Sequence, residues 1–350
     1  MSDATRKRKT VYFTTPHAIE VREEAIPSPS ADEILIETVV SAVSAGTELL
    51  LYRGLMPTEL VLDDTIEALA EQKEQYPSKY GYAAVGRVIG CGSAVDDQEW
   101  GGRLVFAFQP HQSHFCVPPD GVLPVPEGVS ADDAVFLPNM ETAVSMVMDG
   151  RPVIGENVYL FGQGIVGLLT TAILARFPLG QLISVDGYPL RRHWSKMLGA
   201  SQSLEPNGIT AQHPYADLSY ELSGNPVALN TAIDRAVFSG RIVVGSWYGQ
   251  KTAALNLGGK FHRQHLQLIS SQVSHLHPQW CGRWTKARRF DQAWAMIRQI
   301  KPSQLITHRY HVNKAAKLYW RLDTAPETAV QAVFSYGDEI DTTDRDSDRR

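Results

Sequence analysis

Three glycines carry the strongest chemical signal in the chain. They stand in Gly162-Gln163-Gly164-Ile165-Val166-Gly167, directly after the apolar run NVYLF and at the head of a helical pattern. Gly162 would allow a tight turn. Gly164 would let the backbone approach a pyrophosphate, and Gly167 would let helix and strand pack closely. The helix start at Ile165 and Val166 offers free N–H groups and partial positive charge to phosphate. Asp186 ends the next apolar strand, LISVD. A carboxylate there accepts hydrogen bonds from ribose hydroxyls and repels a 2′-phosphate, which favours NAD. Arg191 and Arg192 lie just beyond. An arginine in that place can hold the NADP phosphate, or the pair can form a solvated helix face, so NAD or NADP stays open. Ser246 follows the strand RIVVG, at the end of the sheet where cofactors bind.

Other polar residues have weaker spacing. His111-x-x-His114 and His262-x-x-His265 can each share a helix face, but no third and fourth metal ligand accompanies either pair. Solvated loop histidines are expected, with proton donation by His111 or His114 as the alternative. Arg283, Lys286, Arg288 and Arg289 read as a charged helix face or as a phosphate site. The 3 cysteines are far apart and form no disulfide framework and no close-spaced zinc motif.

These residues need elements to hold them. Up to about residue 151 the pattern is mostly strands and loops, as in EILIETVV, AAVGRVIGCG and GRLVFAF. One helix is expected from Asp63, inside a long excursion over residues 55–76 that could be a lid or a surface loop. From Gly155 onward, strands alternate with helices: NVYLF, a glycine-opened helix, LISVD, LRRHWSKMLGA, LSYELSG, a helix through ALNTAIDRAVFSG, then RIVVGSWYG. Such alternation means a doubly wound parallel sheet in an α/β fold. LQLISSQVS reads as a last strand and KARRFDQAWAMIRQI as a last amphipathic helix.

Composition sets outer bounds. The chain has 350 residues, 43% hydrophobic and 20% charged. That is too long for one small core, so two domains are expected. A net charge of -5 argues against a nucleic-acid partner, because phosphate binding leaves a basic footprint. No run of about 18 apolar residues occurs, so no membrane span is expected. The N-terminus lacks the apolar stretch of a secretory signal, and a cytoplasmic location fits. Basic residues 6–9 read as a mobile, solvated start, and the acidic end as a disordered tail.

The order and spacing of these segments resemble the medium-chain dehydrogenase/reductase superfamily, the zinc-type alcohol dehydrogenase group in its wide sense. The resemblance runs from Thr10 to Tyr336 and rests on AGTELLLYRG, GYAAVGRVIGCG, GRLVFAF, GQGIVG, VDGYPLRRHWSKMLGA and ITHRYHVNKAAKLYW. It implies a GroES-like β-rich catalytic domain from residues 1–151 and 300–338. A Rossmann domain would fill 152–299, with a tail at 339–350. It also implies a small-molecule substrate and a homodimer or homotetramer. By the same resemblance, Asn139, Glu141 and Thr142 fall near the nicotinamide.

Three positions depart from the zinc pattern. Where zinc members have C-G-T-D-x-H, this chain has Ala45-Gly46-Thr47-Glu48-Leu49-Leu50. Where they have G-H-E, it has Gly81-Tyr82-Ala83. Leu137 stands where some have a ligating glutamate. A catalytic zinc needs about three protein ligands, so no zinc is expected. SAGTELLLYRGLMP with YGYAAVGRVI looks most like the branch containing bacteriochlorophyllide hydroxyethyl dehydrogenase. Without metal, hydrogen-bond donors must stabilise charge on the substrate oxygen. The aligned positions make Thr47 and Tyr82 the candidates, with Glu48 to orient Thr47 or nearby backbone. The expected function is zinc-independent, NAD(P)(H)-dependent hydride transfer between nicotinamide and an alcohol or carbonyl. Reduction of an activated C=C bond, or a cofactor-binding redox sensor without turnover, are the alternatives.

Overall fold

The computed structural model describes residues 7–56 and 76–337. The helix expected from Asp63, nearly all of the 55–76 excursion and the acidic tail lie outside the described residues. The chain opens with β1 (Lys7–Thr15) and β2 (Ala18–Ala25), an antiparallel ribbon. The expectation of a loose basic start is therefore corrected from Lys7 on. Lys7 faces Glu23 at 3.5 Å and Arg8 holds Glu24 at 2.9 Å, so opposite charges pair across the ribbon.

Next come β3 (Ile34–Val43), α1 (Ala45–Tyr52), β4 (Ala84–Cys91), α2 (Asp97–Trp100) and β5 (Leu104–Ala107). β6 (His114–Val117), β7 (Val122–Pro124), α3 (Ala131–Ala134) and α4 (Leu137–Gly150) follow. From the far end of the chain come β14 (Ile306–His311) and β15 (Gln331–Ser335), with α9 (Ala315–Thr324) between them. A 7-stranded sheet runs β14-β15-β3-β4-β5-β7, with β6 paired to β3. Every pairing in it is antiparallel except β14 with β15.

The intervening chain gives β8 (Asn157–Phe161), α5 (Ile165–Leu174), β9 (Gln181–Val185), α6 (Pro189–Met197) and β10 (Gln202–Leu204). It continues with β11 (Ala216–Glu221), α7 (Pro226–Arg235), β12 (Ala236–Val244), β13 (Gln267–Ser270) and α8 (Lys286–Ile300). The strands form a 6-stranded sheet in the order β10-β9-β8-β11-β12-β13, parallel throughout. This is the Rossmann order, whose direction reverses between β8 and β11 and opens a crevice there. The chain thus has the expected two-part α/β architecture, a Rossmann-like sheet beside a β-rich unit.

One expected boundary moves. ALNTAIDR is helical, but AVFSG is not: α7 stops at Arg235 and Ala236 turns extended. Val237 and Phe238 suit a strand better than a helix. Ser239 takes φ 59, and the register against β11 shifts as the chain enters β12.

Helix α4 joins the two sheets. One apolar cluster runs from Val40, Val85 and Phe106 through Met140 and Val144 of α4 to Val158, Leu160 and Leu218. α4 is buried along nearly its whole length, and its buried polar residues Asn139, Glu141, Ser145 and Asp149 need partners there. Burying a side chain such as Met140 contributes about 1.5–3 kcal/mol. No helix among the described residues is long and apolar enough to cross a membrane.

Candidate active site

The two sheets border a cleft of about 1950 Å³. On the parallel-sheet side it is lined by residues after β8, β9, β11 and β12. Gly162 has φ 94, and a Cβ there would lie 2.6 Å from the Ser223 nitrogen. A Cβ on Gly167 would lie 2.1 Å from the Gly162 carbonyl oxygen. Glycine is required at both. Gly164 differs, since a Cβ there would meet nothing within 4 Å. Its open face lies at the start of α5, which has no side-chain cap. The N–H groups of the first turn, at Ile165 and Val166, therefore have no helical partner. This cradle fits a pyrophosphate.

Asp186 ties the turn together. Its Oδ2 accepts the Gln163 N–H at 2.7 Å and its Oδ1 accepts the Tyr188 N–H at 2.8 Å. Each carboxylate oxygen keeps a lone pair for a ribose hydroxyl. Arg191 lines the cleft. Its guanidinium donates to the Pro326 and Ala329 carbonyls at 3.2 and 3.4 Å, and so bridges α6 to the stretch before β15. Arg192 donates to the Asp186 and Gly187 carbonyls, both at 2.9 Å, and to Glu205 at 3.0 Å.

Ser246 accepts the Gly224 N–H at 2.8 Å and donates to the Glu221 carbonyl at 3.2 Å. Glu221 was not singled out by sequence. Its buried carboxylate accepts from the Ser223 N–H and hydroxyl, the Gly224 N–H and the Tyr248 hydroxyl. It shapes the turn after β11. The signal was a carboxylate closing the strand LSYE. Thr142 lines the cleft and gives its hydroxyl proton to the Pro138 carbonyl at 2.8 Å.

The facing wall carries Ser44, Ala45, Thr47 and Tyr82. The Tyr82 hydroxyl donates to Ser44 Oγ in a very short hydrogen bond, and Thr47 Oγ1 lies 3.5 Å from the same phenol. Ser44 is a functional candidate that sequence missed; it is the N-cap residue of α1. Ala45, Tyr82 and Leu137 offer no strong zinc donor. Among the described residues no group of three or more His, Cys, Asp or Glu is placed to hold a metal ion. The donor set does not fit a catalytic zinc.

Glu48 lies behind this wall rather than in it, fully buried. Its Oε1 accepts the Ser44 N–H at 2.6 Å, a return bond that holds the start of α1. Its Oε2 accepts from His111 Nε2 at 3.0 Å and from the Tyr319 hydroxyl. His111 and His114 are thus not solvated loop histidines: both are buried. His262 and His265 are exposed. The charged-face expectation for α8 fails at Arg289, which is 0% exposed. Its Nη2 and Nε lie 2.7 and 3.0 Å from Glu141 Oε1, and its Nη1 3.1 Å from Ser145 Oγ. Burial pushes the Glu141 carboxyl above its ordinary range, against the opposing pull of Arg289 and Lys286. Arg283 and Arg288 lie over Trp280 and Trp284, while Lys286 reaches the cleft.

A Rossmann sheet with a glycine turn at its switch point, facing a second sheet across a shared cleft, defines a dinucleotide-dependent enzyme of the dehydrogenase type. No protein-family model matches the sequence. Curated relatives do. D-guloside 3-dehydrogenase of Escherichia coli K12 is 23% identical over 313 residues, covering 83% of this chain and 88% of the relative. Starvation-sensing protein RspB of the same organism is 22% identical over 352 residues, covering 89% and 95%. Among solved structures, an alcohol dehydrogenase (rspB) of E. coli CFT073 complexed with NADH superposes with a TM-score of 0.75 at 18% identity, covering 94% of this chain and 99% of that one. A zinc-binding dehydrogenase of Sinorhizobium meliloti 1021 bound to NADP gives 0.74 at 17%, covering 94% and 99%. Over most of its length the chain is similar to dehydrogenases of the broad, zinc-type alcohol dehydrogenase-like kind, and it is an NAD(P)-dependent oxidoreductase.

Proposed function

We propose that the protein moves a hydride between nicotinamide and an alcohol or carbonyl, and that hydroxyl groups rather than a metal hold the substrate oxygen. The observation that carries this is the Tyr82–Ser44 hydrogen bond with Thr47 at 3.5 Å, on the cleft wall facing the glycine turn. Reduction of a carbonyl builds negative charge on oxygen, and preorganised donors stabilise it. A phenol with a pKa of about 10 is a neutral donor at physiological pH. With substrate bound, Tyr82 turns its single proton from Ser44 Oγ to the substrate oxygen, and the Ser44 and Thr47 hydroxyls then donate to the phenol oxygen, orient it and can replace a transferred proton. Glu48 is a positioning residue that fixes Ser44 through its backbone N–H.

When bound, the nicotinamide supplies or takes the hydride. Gly162, Gly164 and Gly167, with the N–H groups of Ile165 and Val166, hold the pyrophosphate. Asp186 holds the adenosine ribose, while Thr142 and Ser246 line the cofactor's path. NAD is favoured over NADP. The bonds that Arg191 and Arg192 make to protein carbonyls and to Glu205 support this, because they engage the guanidiniums a 2′-phosphate would need. The metal-free Gly46-Thr47-Glu48 segment and Tyr82 support placement in the branch containing bacteriochlorophyllide hydroxyethyl dehydrogenase. Sheet membership supports a catalytic unit of residues 1–151 and 300–338 around a nucleotide unit of 152–299.

NADH oxidation against a panel of aldehydes, ketones and enones tests the reading. Thr47→Val and Tyr82→Phe should each lower kcat, on the order of 100-fold for the main donor, with NADH affinity unchanged. Wild-type turnover in both variants would remove the assignment. Turnover confined to enones would replace carbonyl reduction by C=C reduction.

A further inference from the structure

The hydroxyls on the substrate wall come from two stretches of chain. Ser44 and Thr47 stand at the start of α1, and Tyr82 stands at the turn into β4. One buried side chain lies behind both. His111 is 0% exposed, and both its ring nitrogens are engaged. Nε2 lies 3.0 Å from Glu48 Oε2, and Nδ1 lies 2.7 Å from Ser41 Oγ. Ser41 Oγ in turn lies 2.7 Å from the Tyr336 hydroxyl. A carboxylate only accepts, so Nε2 carries the hydrogen toward Glu48. In the neutral ring Nδ1 then accepts from Ser41, and Ser41 accepts from Tyr336.

The ring also meets the Tyr82 stretch. Gly81 has φ 114, and a Cβ there would lie 2.7 Å from His111 Nε2 and Cδ2. Glycine in that place lets the imidazole seat directly against the backbone that carries Tyr82. Glu48 passes the constraint to α1 by accepting the Ser44 N–H at 2.6 Å. Tyr319 donates to the same carboxylate and closes the arrangement from α9. A chain of contacts therefore runs from the Gly81–Tyr82 turn, by packing, to the buried His111, and from there by hydrogen bonds through the buried Glu48 to Ser44 on the cleft wall.

We infer that His111 is a positioning residue, a buried strut that sets the spacing at which the Tyr82 and Ser44 hydroxyls meet the substrate oxygen. This rests on the proposed role of those hydroxyls. It gives the two stretches a tie that does not require a metal. His111 does not touch the substrate. It acts through its hydrogen bond to Glu48 and through packing on Gly81.

Two variants of similar polarity separate this from a packing role. His111→Gln keeps a donor with the reach of Nε2 and so retains the link to Glu48. His111→Asn matches the Nδ1 side, keeps Ser41 and loses Glu48. Both are measured with NADH and the carbonyl that the wild-type protein reduces fastest in the panel above, alone and combined with Tyr82→Phe. NADH affinity and melting temperature are followed in parallel. We expect His111→Asn to lower kcat by about tenfold or more, as a small displacement of a reacting group does. NADH affinity should hold, and His111→Gln should recover most of the loss. In the Tyr82→Phe background, His111→Asn should cost less than about twofold further, because residues acting through one another are non-additive. Equal losses in Asn and Gln, no loss in Asn, or the same factor in both backgrounds would overturn the positioning role. If Tyr82→Phe lowers kcat and His111→Asn does not, only the strut falls. If Tyr82→Phe and Thr47→Val both keep full activity, the hydroxyl reading falls and takes the strut with it; if Tyr82→Phe alone does, the strut falls.

Discussion

Glu141 and Arg289 are a buried pair at the edge of the cleft, and their cost and use are set by burial. Two charges taken from water must find each other with good geometry, and Arg289 does so through Nε and Nη2 together. Burial still lifts the Glu141 carboxyl above its ordinary 4.5. The folded chain therefore holds that proton more firmly than the unfolded chain does. Above the unfolded value the group's contribution falls as pH rises, and the fall is complete once pH passes the folded value. In chemical denaturation across that range, Glu141→Gln should remove this part of the pH slope. A slope unchanged by the substitution would contradict the assignment. Sequence made Thr47, Tyr82 and Asp186 visible as candidates because residue type and aligned position coincide there. Arg289 and His111 were misread because their partners lie 148 and 63 positions away. Their surface-like composition gave no hint of burial.

At the scale of elements, the turn from β8 into α5 does the work of cofactor binding. Its three glycines are needed for different reasons, and that difference is testable. Gly164→Val adds bulk into open space at an ordinary backbone conformation. We expect NADH affinity to fall at least about tenfold, because close backbone approach is what the glycine permits. Its melting temperature should stay at the wild-type value. Gly167→Ala would press on the Gly162 carbonyl and should lower both. Unchanged NADH affinity in Gly164→Val would move the pyrophosphate elsewhere. Most strands and helices here were legible, since apolar runs alternate with glycine-opened helices. The end of α7 was not. Ala232, Ile233 and Ala236 keep helical spacing, while the pairing of β12 with β11 draws Ala236 into the sheet. Tertiary pairing overrode local periodicity.

For the whole molecule, α4 and Arg191 link the parallel sheet to the β-rich unit, one by apolar burial and the other by hydrogen bonds to Pro326 and Ala329. Strand alternation revealed the parallel sheet, but neither link has a local signature. A cofactor that binds the folded cleft must raise stability, by about 2.7 kcal/mol at 100 times its Kd. NADH should therefore raise the melting temperature more than NADPH at equal concentration, given Asp186 and the engaged arginines. A larger shift with NADPH would reverse the preference.

In the proposed reaction, hydroxyls do the work for which zinc members use a metal. The most direct measurement is kcat for carbonyl reduction with NADH before and after exhaustive treatment with a strong chelator. We expect the same rate in both, because Ala45, Tyr82 and Leu137 leave no set of about three zinc ligands. A rate that vanishes with the chelator and returns with added zinc would contradict the claim.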